Sequence, residues 1–228
     1  MREVPAGRDS PAGVPVPPLS LRGHGLVLRQ WRADDAASMR ELFGDPALAA
    51  AMNLPVPFDA TAFIAALPRA RRADHHHLAI TEGTDVPLGL FFLWPERGVL
   101  GYGVGAAHRG RRLAVRALRL ATAFCHGELG VTELLLPIFP DNLPSQAVAA
   151  GAGYRDLGGS VDVTAPGGHG RGRADLWVHR AGWPVPGGEP SPRRMTTAAG
   201  AGPASCPRHG PAGHRGRAST GMNSTGTM

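Results

Sequence analysis

The sequence predicts an α/β (α+β) fold in which one mixed β-sheet is flanked by helices. Three observations lead there. Between residues 21 and 182 the punctuation is regular, and strand-like and helix-like segments follow in the order β-α-α-β-β-β-α-β-α-β-β. A strand, a Gly/Arg-rich turn and a long amphipathic helix follow one another over residues 100–129. The chain of 228 residues is long enough for one well-packed domain of this kind.

The elements read as follows. Leu26, Val27 and Leu28 form a short strand, after which Asp34 or Asp35 is expected to cap a helix with Ala36, Met39, Leu42 and Phe43 on one face. Asp45-Pro46 ends it. Residues 58–70 give a second, Ala-rich helix with Asp59 as its cap. Residues 77–81 and 86–94 form a hairpin, the second strand being a nearly continuous apolar run as a central strand would be. Residues 100–104 are a strand interrupted by Gly101 and Gly103 and followed by Gly105, a pattern that marks bulges or the close approach of another group, such as a ligand.

Leu113, Ala117, Leu118, Ala121, Cys125 and Leu129 then define the clearest helix. Residues 133–138 are a buried strand, and residues 142–152 a short helix opened by Asp141, Asn142 and Pro144. Two strands over 154–163 and 174–179, around a Gly-rich loop at 165–172, complete the domain. Residues 1–20 read as a disordered leader and residues 183–228 as a disordered Pro/Gly/Arg-rich tail, because neither holds enough periodic apolar surface to offset the entropy of ordering.

Composition and charge exclude several classes. All 24 basic residues are arginine, since the chain contains no lysine, and the formal net charge is +6. That charge is concentrated in the tail, where Arg193, Arg194, Arg208, Arg215 and Arg217 face only Glu189, a balance of +4 that leaves the body at +2. A body this close to neutral has no electrostatic footprint for nucleic acid. No segment reaches the roughly 18 apolar residues of a membrane span, and residues 1–18 lack the apolar centre of a signal peptide. A cytoplasmic protein, monomeric or homodimeric, is expected. Cys125 and Cys206 make no disulfide framework, and Cys125 lies on an apolar helix face as a core residue does. His75, His76 and His77 are consecutive, so on a strand they alternate between faces and do not converge on a metal.

The chemistry centres on Leu100-Gly101-Tyr102-Gly103-Val104-Gly105-Ala106-Ala107-His108-Arg109-Gly110-Arg111-Arg112-Leu113-Ala114. A helix N-terminus offers free N–H groups and a positive dipole end, and Arg109, Arg111 and Arg112 add charge where a pyrophosphate would sit.

This stretch resembles motif A of the GNAT superfamily, Gln/Arg-x-x-Gly-x-Gly/Ala, with Arg109 first and Ala114 last. Asn142-Leu143-Pro144-Ser145, followed by Gly153-Tyr154, resembles the family's Asn-x-x-Ser helix and Gly-Phe/Tyr strand start. Gly25-Leu26-Val27-Leu28-Arg29 with Asp34-Asp35-Ala36 resembles the opening of the Rim-type branch, which includes the ribosomal-protein N-terminal acetyltransferases. The resemblance implies the GNAT fold: a mostly antiparallel sheet of about seven strands, splayed between the fourth and fifth. It implies acetyl-CoA as co-substrate, an amine acceptor and no metal. It also implies cofactor contacts at Val104, Ala106, Arg109, Gly110, Arg111, Arg112, Leu113, Ala114, Asn142 and Ser145.

Two positions depart from the pattern. Arg112 stands where motif A has Gly, and no Glu follows Tyr154, where Rim-type enzymes carry a proposed base. The implied reaction is direct attack of an amine on the thioester, with a backbone N–H near residues 104–106 polarising the carbonyl and Ser145 matching the acid by position. The base stays open: Asp162 is the nearest carboxylate, with Asp175 and Tyr102 the weaker candidates. The acceptor is expected to be a protein N-terminus or a small amine, with an antibiotic or polyamine as an alternative. A degenerate fold that only binds acyl-CoA or a partner is the non-enzymatic alternative.

Overall fold

The computed structural model describes residues 19–45, 48–49, 58–70, 75–164, 171–186 and 193–194. In chain order its elements are β1 (Ser20–Gly23), β2 (Leu26–Gln30), α1 (Ala36–Phe43), α2 (Ala60–Ala70), β3 (His76–Glu82), β4 (Thr84–Trp94), β5 (Val99–Val104), α3 (Leu113–Gly127), β6 (Glu133–Ile138), α4 (Leu143–Gly151), β7 (Arg155–Thr164), β8 (Arg171–Arg180) and β9 (Arg193–Arg194). The strands form one sheet in the order β7-β8-β6-β5-β4-β3-β2-β1-β9. Neighbours are antiparallel except β5 and β6, which run parallel because α3 crosses over between them.

Helices cover both faces. On one, the stripe Leu113, Ala117, Leu118, Ala121, Phe124 and Cys125 of α3 packs on Leu28, Ile80, Phe91 and Leu136. On the other, Met39, Leu42 and Phe43 of α1 and Ile64 of α2 pack on Ala79 and Leu90. Alternation assigns the faces, since Leu78 and Ile80 point to α3 while Ala79 between them points to α1.

All seven expected strands are present, and the structure adds two at one edge. β1 lies where the leader was expected to end; it turns through His24 (φ +51°) and Gly25 (φ +68°) to pair with β2. β9 then pairs with β1. Residues 1–18 lie outside the described residues, as do 165–170 of the Gly-rich loop and the tail apart from 183–186 and 193–194. Ordered structure continues beyond residue 182, contrary to expectation. Trp183 lies under the Arg155 guanidinium at 4.4 Å, and the Pro184 carbonyl and Pro186 ring close on Gly153. One aromatic ring supplies the apolar surface that the composition as a whole lacks.

Asp59 caps α2, its Oδ1 accepting from the Ala62 N–H at 2.9 Å. Asp35 does not cap α1. Its carboxylate instead accepts from both terminal nitrogens of Arg29, at 2.7 and 2.9 Å, and from the Arg32 N–H at 2.8 Å. Arg29 Nε also donates to Asp85 at 2.6 Å, so one buried guanidinium ties β2, the start of α1 and the start of β4. Removing one partner of a buried ion pair leaves the other charge uncompensated. Asp35→Ala is therefore expected to lower unfolding free energy by about 3–5 kcal/mol in urea titration, whereas Asp34→Ala, at an exposed neighbouring position, stays within about 0.5 kcal/mol of wild type.

Candidate active site

β5 and β6 share a single register position, Val99 opposite Leu135. Beyond it they diverge. The Tyr102 hydroxyl spans the gap by donating to the Ser145 carbonyl at 3.0 Å, and burial pushes its phenol pKa upward. A cleft of about 640 Å³ opens at this split, between β5, the turn before α3 and the start of α4.

The β5 wall presents a directed donor. The Gly105 N–H bonds back to the Leu88 carbonyl at 3.2 Å, and Val104 pairs with Gly89. Successive N–H groups on a strand point to opposite sides, so the Val104 N–H points away from β4, into the split.

The turn before α3 carries two left-handed residues, Gly110 at φ +79° and Arg112 at φ +56°. The first intrahelical donor of α3 is Arg116, bonded to the Arg112 carbonyl at 3.0 Å. The N–H groups of Leu113, Ala114 and Val115 therefore precede the helical ladder, and all three residues line the cleft. Two of the turn's arginines are already engaged: Arg109 with Asp45 at 2.7 Å, and Arg111 with Glu82, which Arg116 shares. Those arginines hold the Glu82 carboxyl below the usual range.

At the opposite wall, Asn142 Oδ1 caps α4 by accepting from the Ser145 N–H at 3.1 Å. Pro144 lies in the first turn, where its missing N–H costs nothing.

Of the residues expected from the sequence, Val104, Arg109, Gly110, Arg112, Leu113, Ala114, Asn142 and Ser145 line the cleft, as does Tyr102. Ala106 and Arg111 are not among the lining residues. Asp162 is misplaced for a base: it is exposed on β7, the edge strand, opposite Arg173, and is not part of the cleft wall. Asp175, on β8 opposite Ser160, is also outside that wall. Leu48, His108, Phe139 and Asp141 line the cleft without having been singled out.

The glycines of β5 correct another expectation. A Cβ on Gly101 would overlap the Phe92 ring, and one on Gly103 would lie 2.6 Å from Leu48 Cδ1. The close approach is made by side chains of the protein, at Gly103 within the cleft wall itself.

Sequence comparison matches residues 25–155 to the acetyltransferase (GNAT) domain. The chain belongs to the GNAT acetyltransferase family. No curated protein matches the sequence. Among solved structures similar to this GNAT chain, one from Vibrio cholerae, assigned as a ribosomal-protein-serine acetyltransferase, is 20% identical with a TM-score of 0.62, covering 71% of this chain and 97% of that one. Mycobacterium smegmatis RimJ, in complex with CoA-disulfide, is 20% identical with a TM-score of 0.56, covering 72% and 86%. The microcin C7 self-immunity acetyltransferase MccE, in complex with acetyl-CoA and AMP, is 17% identical with a TM-score of 0.55, covering 75% and 97%. The GNAT sheet and its splay are thus present here, displaced by one in strand number because β1 precedes them.

Other reactive groups lie away from the cleft. Cys125 is fully buried in α3, and burial pushes its thiol up to about 12, which removes the thiolate a nucleophile needs. The His75 ring packs at a tilt against His77 and Trp94, 4.3 Å from each centroid, and burial lowers its pKa to about 3, with the neighbouring histidines adding to the shift. Among the described residues no helix is long and apolar enough to cross a membrane.

Arg112 adopts a backbone conformation that glycine reaches freely and a side chain does not. Arg112→Gly is expected to raise unfolding free energy by about 1 kcal/mol, the relief of left-handed strain exceeding the added freedom of the unfolded chain. Arg112→Ala keeps the Cβ and brings no such gain, a contrast that parallel denaturant titrations would read.

Proposed function

We propose that the protein moves an acetyl group from acetyl-CoA to a primary amine, a protein N-terminus or a small amine, by direct transfer. The observation that carries this reading is the cleft at the split. Its floor holds the inward-directed N–H of Val104, one end is the arginine-bearing turn into α3, and its far wall is the capped start of α4. The pyrophosphate would be held by the N–H groups of Leu113 and Ala114 at the positive end of the helix, with Gly110 letting the backbone close and Arg109 and Arg112 adding charge. Arg111 stands just outside, and Asn142, whose Oδ1 caps α4, would meet the pantetheine amide through its NH2 group.

In the transfer, the amine nitrogen bonds to the thioester carbon and the oxyanion that develops is stabilised by the Val104 N–H. The C–S bond then breaks, and the proton lost by the nitrogen as the amide forms passes to the thiolate, which leaves as the free thiol. The Ser145 hydroxyl, in the cleft wall, supplies a hydrogen bond to the departing sulfur. The similarity to MccE, a microcin C7 self-immunity acetyltransferase, keeps the antibiotic or polyamine acceptor as the alternative. A non-catalytic acyl-CoA-binding module is the second reading, favoured by Arg112 at the glycine position and by the exposure of Asp162.

Isothermal titration with acetyl-CoA, followed by a thiol-release assay over peptides with free N-termini and small amines, separates the two. Binding with release supports the enzyme, binding without release the module. For the enzyme, Ser145→Ala is expected to lower kcat by roughly tenfold to a few hundredfold while leaving the acetyl-CoA Kd unchanged, because the hydroxyl acts on charge that develops late. Asp162→Asn is expected to turn over like wild type. Arg112→Gly is expected to weaken acetyl-CoA binding by about 1.5–3 kcal/mol, the magnitude of a hydrogen bond to a charged group.

A further inference from the structure

The cleft opens onto both faces of the sheet, and its two halves differ in chemistry. Tyr102, Val104, Leu113, Val115 and Val148 belong to the α3 side, where the phosphate-binding turn and the capped start of α4 also lie. Leu48 belongs to the α1 cluster on the other face. If the thioester reaches the split from the α3 side, an attacking amine must come from the α1 side.

On that side β5 contributes bare backbone. Gly103 and Gly105 alternate onto this face, and their Cβ positions are taken by Leu48 Cδ1 and Leu42 Cδ2, at 2.6 and 2.5 Å from an ideal Cβ. The His108 imidazole stands in the same place, its Cδ2 3.3 Å from the Cβ position of Gly105. Its backbone is fixed by a bond from the His108 N–H to the Gly105 carbonyl at 2.9 Å. The other charged and titratable side chains of the cleft wall are Arg109, held by Asp45, Arg112, Asp141 and Tyr102.

Among the described residues lining the cleft, four side chains besides Asn142 and the arginines could exchange a proton: Tyr102, Ser145, Asp141 and His108. Tyr102 spends its proton on the Ser145 carbonyl and is buried against ionisation. Ser145 and Asp141 lie at the start of α4, on the thioester's side of the split. His108 alone stands on the α1 side.

We propose that His108 is the catalytic base, taking the proton of the incoming ammonium on the α1 face of the split, beside the wall made by Leu48. The proposal rests on the acetyl-transfer reading and supplies the group that Asp162 does not. The balance closes without another reactant. An ammonium N–H passes its proton to the imidazole, the freed amine forms the C–N bond, the C–S bond breaks with its electron pair on sulfur, and the second N–H proton of the adduct passes to the thiolate, leaving a neutral amide and a free thiol. The imidazolium returns its own to water.

The test uses the full chain, acetyl-CoA, and whichever amine of the peptide and small-amine panel supports thiol release. His108→Gln is expected to lower kcat/KM at pH 7 by about a hundredfold or more. The deficit should shrink as pH rises to the pKa of the amine, about 8 for a peptide N-terminus, because the amine then arrives neutral. The acetyl-CoA Kd should stay within about twofold of wild type. His108→Gly with added imidazole should recover part of the rate, which a purely structural role would not allow. The proposal is overturned if wild-type and His108→Gln pH profiles run parallel, or if folded variants of unchanged Tm turn over like wild type. Thiol release absent even from the wild-type chain, with acetyl-CoA bound, would instead overturn the transfer reading itself.

Discussion

The parallel pairing of β5 and β6 at one position is the constraint on which the site depends. A continuous ladder would commit the inward N–H groups of β5 to carbonyls of β6, and none would be left to act on a ligand. Divergence after Val99 and Leu135 leaves the Val104 N–H aimed at open space. The opening must then be held apart, and the polar and packing contacts around it do so: Tyr102 reaches across to α4, and the buried stripe of α3 fixes the turn that forms one end. The free donor of β5 and the cleft between the turn before α3 and the capped start of α4 both follow from one interrupted ladder.

Charge in this region is arranged before any ligand arrives. Asp45, from the end of α1, holds Arg109, and Glu82, from the β3–β4 turn, holds Arg111 and Arg116. Among the described residues, Arg112 has no such acidic partner. Arg109 and Arg111 of the turn are therefore held by carboxylates, with which any anion bound there would compete, and among the described residues Arg112 lines the cleft without such a partner. Pairs this exposed contribute little to stability, so their larger effect is on where the arginine side chains rest.

What could be read from the sequence follows from how local each signal is. α3, β6 and α4 lie close to where periodicity put them, because each carries its own apolar spacing and its own cap, and the Asn142 cap is present as expected. The hairpin of β1 escaped because it follows a Pro-rich stretch and consists of only Ser20–Gly23, too short for alternation to show. Asp34 or Asp35 reads as a cap because position before a helix is a local cue, while Arg29, which binds the Asp35 carboxylate and that of Asp85, meets them only in three dimensions. Asp162 failed for the same reason in reverse: alternation fixes which way a side chain points on its strand, but β7 is the edge of the sheet, away from the split. His108 lay inside the quoted motif yet carried no spacing of its own, and only its position on the α1 face distinguishes it.

The glycines of β5, with Gly105 just past its end, bear on how such a protein can change. Because Gly103 and Gly105 offer no side chains, that face of the wall is furnished by Leu48 and Leu42, which belong to segments outside the strand. The sheet's hydrogen bonding and the shape of the pocket are thereby carried by different parts of the chain. A substitution at Leu48 can reshape the cavity without touching the strand whose Val104 N–H points into it, so the shape of the pocket can change by drift or by design while the strand and its donor stay intact. By the same logic a side chain gained at Gly103 would have to displace Leu48, so the strand is the less tolerant part of that wall and the leucine the more exchangeable one.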